Sequence, residues 1–325
     1  MDIGIIGGGN MGVLHGGLIN KNKNLKLAAV FDNSAEKGEA AARLLDTVYT
    51  GTMEELFKKC EMVFITVPNT AHAELAVKAL EAGKHVFVEK PLATNLADAE
   101  KVMKAADKAG RRVFVGHNRR FAPVYKEARD IISGGGFKPS NINIIQNDGD
   151  MLEPAWLTDI KMTGGFMYDT TVHFLDMARY LMGEVTELRA LGKAVCYPIA
   201  DDFAVLLTFK NGGHGVITTC GHASWISPFE RVQVVGDHKS VITEELDSLR
   251  YSPGLGKIVE GRDYSKLSHE EKWGYAAMHE HMFNALKTGT EAQNSMTDGY
   301  MTVELIEACH RSAGQNGEPV RIGLP

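Results

Sequence analysis

The chain has 325 residues, 44% of them hydrophobic and 23% charged, with a formal net charge of −6. That is the profile of one large or two ordinary globular domains, and the acidic balance argues against a nucleic-acid partner without excluding an anionic substrate. No apolar run approaches the roughly 18 residues of a membrane span, and the chain opens on Met1-Asp2-Ile3-Gly4-Ile5-Ile6 with neither a basic nor an apolar leader, so a cytoplasmic protein without a membrane partner is expected.

Residues 3–6 form an apolar run, a glycine cluster follows, and 11–20 reads as a helix. A second run, 27–31, ends at Asp32, and 34–45 is helical in character. A third run, 62–67, closes on Pro68-Asn69; 71–82 has helical spacing and stops at Gly83. A fourth run, 85–88, leads into Glu89-Lys90-Pro91; a helix at 95–109 ends at Gly110, and 112–115 is a fifth run. Continuous apolar runs separated by helices predict a parallel sheet covered on both faces, a doubly wound dinucleotide-binding (Rossmann) domain over residues 1–120.

Beyond residue 120 the texture changes. Residues 121–133 look helical, Gly134-Gly135-Gly136 breaks them, and 141–146, 188–195, 203–209, 216–219, 231–235 and 240–243 read as strands, mostly antiparallel. Residues 269–287 and 298–313 are helical again. The expected class is α/β: the N-terminal Rossmann sheet plus, at 121–325, an α+β substrate-binding and oligomerisation domain with an open, mostly antiparallel sheet, its last helices packing back on the first domain. Cys60, Cys196, Cys220 and Cys309 form no CxxC pair and are expected as reduced, mostly buried thiols; no metal site is predicted.

Gly7, Gly9 and Gly12 follow the first strand and open a helix. One glycine allows the tight turn, one lets backbone approach a pyrophosphate, and one lets helix and strand pack closely, with Asn10 and Met11 placing amides at the helix N-terminus. Asp32, 20 residues after Gly12, ends the second strand, where a carboxylate accepts both ribose hydroxyls and repels a 2′-phosphate; this favours NAD over NADP. Asp32 and Ser34 could also cap the next helix.

Lys90 stands at the carboxyl edge of the fourth strand, beside where a nicotinamide ring should lie. Burial and neighbouring charge bring an amine toward acid/base work at neutral pH, so the two motifs together point to lysine-assisted hydride transfer; a surface Lys–Glu pair before a proline turn is the plainer reading. Further on, Gly164-Gly165 precedes Asp169 and His173, four apart and on one face if the segment is helical. They suit a proton relay and a hydroxyl contact, or a helix cap and a core histidine. Asn118, Arg119 and Arg120 follow the fifth strand, as site groups or a basic surface patch. Trp156 could stack on a sugar face or pack the core.

The segments Phe64-Ile65-Thr66-Val67-Pro68-Asn69-Thr70-Ala71-His72, Ala79 through Glu89-Lys90-Pro91, Val115-Gly116-His117-Asn118-Arg119-Arg120-Phe121, and Gly164-Gly165 with Asp169 and His173 resemble the glucose–fructose oxidoreductase / inositol dehydrogenase (Gfo/Idh/MocA) family over nearly the whole chain. The resemblance implies that Lys90 hydrogen-bonds the reacting hydroxyl, His173 accepts its proton, and Asp169 binds a substrate hydroxyl and supports the histidine. It also implies that Pro68, Asn69, His72 and Glu89 line the nicotinamide side; from the residues themselves, Asn118 is expected as a further cofactor contact and Arg119 and Trp156 as substrate contacts. The implied protein is an NAD-dependent dehydrogenase of a cyclic polyol or sugar, a homodimer or homotetramer through the second-domain sheet. Its alternatives are an NAD-recycling glycoside-cleaving enzyme and a non-catalytic NAD- and sugar-binding regulator. Specificity is expected in the loops 147–161 and 225–229.

Overall fold

Short runs of Val, Ile and Phe build the first sheet of the computed structural model, which describes residues 1–149, 151, 155–224 and 229–323. The chain divides into two units: Met1–Gly116 with His279–Val303, and His117–Met278 with the chain from Glu304 onward. In the first unit β1 (Asp2–Ile6), α1 (Asn10–Lys21), β2 (Lys26–Phe31), α2 (Ala35–Leu44), α3 (Met53–Lys59), β3 (Met62–Ile65), α4 (His72–Glu81), β4 (His85–Val88), α5 (Leu96–Ala109) and β5 (Val113–Val115) follow one another. All five strands are parallel, in the order β2-β1-β3-β4-β5.

The sheet is buried on both faces, so its strands carry no polar alternation. Phe64 and Phe87 point to one face with ring centroids 4.5 Å apart. Val63, Ile65, Val86 and Val88 point to the other and form one core with Ala73, Ala76 and Leu80 of α4 and Val102 of α5. Ser34, Thr52 and Asn95 cap α2, α3 and α5 by accepting first-turn amides. The sequence reading did not foresee α3.

The second unit holds α6 (Pro123–Ser133), β6 (Asn141–Asn147), α7 (Ile160–Thr163), α8 (Val172–Met182), β7 (Val185–Lys193), β8 (Asp202–Phe209), β9 (His214–Cys220), β10 (Glu230–Gly236), β11 (Lys239–Glu244), β12 (Ser248–Ser252), β13 (Glu260–Asp263) and α9 (His269–Lys272). Helices α10 (Tyr275–Thr288) and α11 (Met296–Gly314) carry the chain into the first unit and back, before β14 (Val320–Arg321). The nine strands run β13-β12-β11-β10-β6-β9-β8-β7-β14 and pair antiparallel except β6 with β9. Alternation is plain in β8: Phe203, Val205, Leu207 and Phe209 are buried, while Ala204, Leu206 and Thr208 are exposed.

Several expectations shift in detail. The helix expected over 269–287 is two helices, because Gly274 sits at φ +82° with no room for a side chain: a Cβ there would lie 2.4 Å from the Ala122 nitrogen. Cys60 and Cys309 are buried as expected, but Cys196 is exposed. Among the described residues no helix is long and apolar enough to cross a membrane.

Candidate active site

In a parallel sheet with this order, β1 has β2 on one side and β3 on the other. The crevice outside their carboxyl ends is where a ligand binds in such folds. Gly7 turns the chain there at φ +104°, and a Cβ on it would meet the Thr66 carbonyl oxygen at 2.6 Å. A Cβ on Gly12 would fall 2.0 Å from the Gly7 carbonyl oxygen, so only glycine lets α1 approach β1 this closely. Gly9 differs: nothing lies within 4 Å of its would-be Cβ, and it is the N-cap of α1 without any side chain capping the first-turn amides. Open space beside uncapped amides fits a pyrophosphate. At the end of β2, Asp32 accepts the Gly8 and Ser34 amides, each at 2.8 Å, and stays half-exposed. Ser34 itself caps α2, so the Asp32 carboxylate keeps lone pairs for a ribose. These residues fit NAD, which supplies hydride acceptor chemistry when bound.

Lys90 follows β4, with the Lys90–Pro91 peptide cis and the side chain half-buried. Glu89 beside it is buried; its carboxylate accepts the Lys90 amide at 3.1 Å and the His15 Nε2–H at 2.8 Å. Burial opposes the Glu89 charge, but His15 and Lys90 outweigh it and hold the carboxyl below the usual range. Gly116 leaves the space for this group, since a Cβ there would stand 2.8 Å from Glu89 Oε2. Pro68 leads a short 3-10 turn with Asn69 buried in it. His72, fully buried at the start of α4, bridges two loops, with Nδ1 2.7 Å from the Pro91 carbonyl and Nε2 2.8 Å from that of Val67. Both carbonyls only accept, so a neutral ring satisfies one and a protonated ring both. Burial pushes the His72 pKa down from 6.5, opposed by the two carbonyls and Glu89.

The first unit therefore gathers Gly7, Gly9, Gly12 and Asp32 around the ends of β1 and β2. Pro68, Asn69, His72, Glu89 and Lys90 lie at the ends of β3 and β4, which pair from Met62 with His85 to Ile65 with Val88. Two residues that no sequence signal marked join this group: His15 of α1 and His279 of α10, the latter 2.8 Å from His15 Nδ1.

In the second unit Asp169 lies in a π-helical turn, Met167–Thr171, that runs into α8, and both Asp169 and His173 are half-buried. Four residues of regular α-helix overshoot a full turn by about 40°; the wider π turn alters that phase, as it often does at functional sites. A buried hydroxyl chain seats this turn, Thr171 bonding Thr219 at 3.0 Å and Thr219 donating to Gln146.

The arginines behave otherwise than expected. Arg119 is buried and spends Nε and Nη2 on Glu230 at 3.2 and 3.0 Å, its guanidinium 4.1 Å from the Trp273 ring centre. Its geometry is that of a buried ion pair. Arg120 pairs just as deeply with Asp176, and Asn118 donates to the Trp273 carbonyl at 2.8 Å instead of facing outward. None of the three forms a surface patch. Trp156 is 37% exposed in a 3-10 turn, outside the core. Of the two specificity loops, residues 150, 152–154 and 225–228 lie outside the described residues.

Residues 1–117 match the model of the oxidoreductase family with an NAD-binding Rossmann fold, GFO_IDH_MocA, and residues 141–322 match that family's C-terminal alpha/beta domain. Myo-inositol 2-dehydrogenase of Thermotoga maritima is 31% identical over 257 residues, 76% of each chain. Inositol 2-dehydrogenase of Rhizobium meliloti is 27% identical over 335 residues, 96% of each chain. The crystal structure of a probable dehydrogenase from Thermotoga maritima superposes with a TM-score of 0.84 at 26% identity, covering 99% of this chain and 98% of its own.

Proposed function

The chain belongs to the Gfo/Idh/MocA oxidoreductase family, and on that premise we propose that it interconverts a secondary hydroxyl and a ketone on a cyclic polyol or sugar, with NAD as the redox partner. The observation that carries this reading is Lys90: an amine at the carboxyl edge of β4, next to a buried ionised carboxylate, in a unit whose glycine turn and Asp32 fit a dinucleotide. The inositol dehydrogenases among the relatives support the substrate class.

The chain's own residues divide the work as follows. Lys90 hydrogen-bonds the reacting oxygen and balances the negative charge that develops on it as its proton leaves. His173 accepts that proton, and Asp169 binds a neighbouring substrate hydroxyl, fixing which carbon reacts. Gly9 and the first-turn amides of α1 hold the pyrophosphate, and Asp32 the adenosine ribose.

The test is nicotinamide reduction followed by absorbance over a panel of inositols, aldoses and anhydro-sugars, with wild type and Lys90→Met. Turnover with at least one cyclic polyol or sugar is expected, together with a kcat loss of at least about 10²-fold in the variant. Wild-type turnover in Lys90→Met, or none on the whole panel despite NAD binding, would refute the reading.

A further inference from the structure

Beneath Lys90 lies a polar chain that the proposed chemistry leaves unexplained. Glu89 Oε1 is 2.8 Å from His15 Nε2, and His15 Nδ1 is 2.8 Å from His279 Nε2, the two imidazole rings lying within 1° of parallel. The His15 side chain is fully buried and that of Glu89 is 8% exposed. Phe64, Phe87 and Phe283 surround the histidines, so no solvent competes for these bonds.

His279 Nδ1 is buried with no hydrogen-bond partner among the described residues. An unpaired lone pair is cheaper to bury than an unpaired N–H, so Nδ1 carries no proton and Nε2 does. His279 therefore donates to His15 Nδ1. His15 then carries a proton on Nε2 and donates it to Glu89. Burial drives the His279 pKa well below 6.5, in keeping with a neutral end to the chain. Every bond points toward Glu89, whose second oxygen accepts the Lys90 amide.

We propose that His15 and His279 are positioning residues: the chain His279→His15→Glu89 keeps Glu89 ionised and aimed at neutral and mildly acidic pH, and through it fixes the backbone and charge environment of Lys90. The arrangement has the logic of an acid–histidine pair, with the carboxylate at the chemical end. The titratable groups around Glu89 are His15 from α1, His279 behind it from α10, His72 from α4, and Lys90. Remove the His15 donor and burial is left with less to oppose it, so Glu89 takes up a proton at a higher pH than in wild type.

The proposal rests on Lys90 being the chemical group, and its test separates the two claims. The first readout is the carboxyl resonance of Glu89 in protein labelled at glutamate, identified by its loss in Glu89→Gln. In wild type it stays ionised from about pH 8 to about pH 5; in His15→Phe it titrates within that range. The second is the pH profile of kcat. His15→Phe should lose roughly tenfold more than wild type does between about pH 8 and about pH 6, as Glu89 protonates, and His15→Gln, which restores an N–H donor, recovers most of that extra loss. A merely structural role lowers activity equally at all pH. A wild-type Glu89 that titrates above about pH 5, or a His15→Phe profile parallel to wild type, overturns the proposal; the first is read on the wild-type protein, with Glu89→Gln serving for assignment alone. Full turnover in Lys90→Met would instead sink the reading of Lys90 and leave the carboxyl titration intact.

Discussion

Arg120→Met removes one half of a buried ion pair while keeping most of the stem. The guanidinium gives Asp176 two bonds, Nε at 2.8 Å and Nη2 at 2.6 Å, with the side chains 7% and 1% exposed. Removing one partner of such a pair strands the other charge and costs about 3–5 kcal/mol, far more than the pair contributes relative to an apolar replacement. For a unit of this size that is a fall in Tm of roughly 6–20 °C. The pH dependence follows from Asp176. Burial opposes its charge, and Arg120, with His117 and Arg179, outweighs burial and lowers its pKa. In wild type this stabilisation is present above the unfolded value of about 3.9 and is lost as pH falls through the folded one. In the variant the folded value rises, so the deficit is greatest at neutral pH and shrinks as Asp176 protonates. Urea denaturation of the full chain at about pH 7.5 and about pH 5 measures both, and Arg120→Met with Asp176→Leu should recover most of the loss. A deficit below about 1 kcal/mol at neutral pH, the worth of an exposed pair, or one equal at both pH values, refutes the account.

Gly9→Ala and Gly12→Ala should part company. The first has open space at its Cβ and should leave stability within about 0.5 kcal/mol while weakening NAD at least about tenfold by titration calorimetry; the second collides with the Gly7 carbonyl and should lower stability by about 1–3 kcal/mol in denaturant. Burial lowers the pKa values of His72 and His279, so the unfolded chain binds more protons than the folded one below about pH 6.5; stability should fall there by up to about 1.4 kcal/mol per pH unit for each, and His279→Phe should flatten that slope in pH-resolved melting. Leu206, 55% exposed on the open face of β8, lies on the surface that would join copies of the chain. Light scattering should give a mass above the 35.5 kDa of one chain, and Leu206→Glu should return it to that value.

Much of the architecture was legible because it rests on local signals. Buried parallel strands read as apolar runs, and Gly7, Gly12, Gly83 and Gly110 sit where backbone geometry requires glycine. What stayed hidden lacked such signals. β13 is exposed along its whole length and β14 spans two residues, so neither carries periodicity. The pairings that place polar side chains are longer in range: Arg119 meets Glu230 across 111 residues and Arg120 meets Asp176 across 56. A basic run after a strand reads the same whether it faces solvent, substrate or a carboxylate. His15 and His279 are 264 residues apart, and nothing local to either marks the bond between them. The π turn under Asp169 likewise depends on Thr219 and Gln146 of the sheet.

The first unit is closed only by residues 279–303, which supply His279 and Phe283 to the face carrying Phe64 and Phe87. A ribosome adding about 5–20 residues per second needs roughly 10–40 s to travel from residue 117 to residue 303. Throughout that interval the emerging Rossmann sheet has its strands and α1, but not α10, which completes the cover of its aromatic side. The nascent chain is thus a natural client for holding chaperones, and a fragment cut at residue 117 should behave as a sticky, incomplete body rather than as a portable nucleotide-binding module.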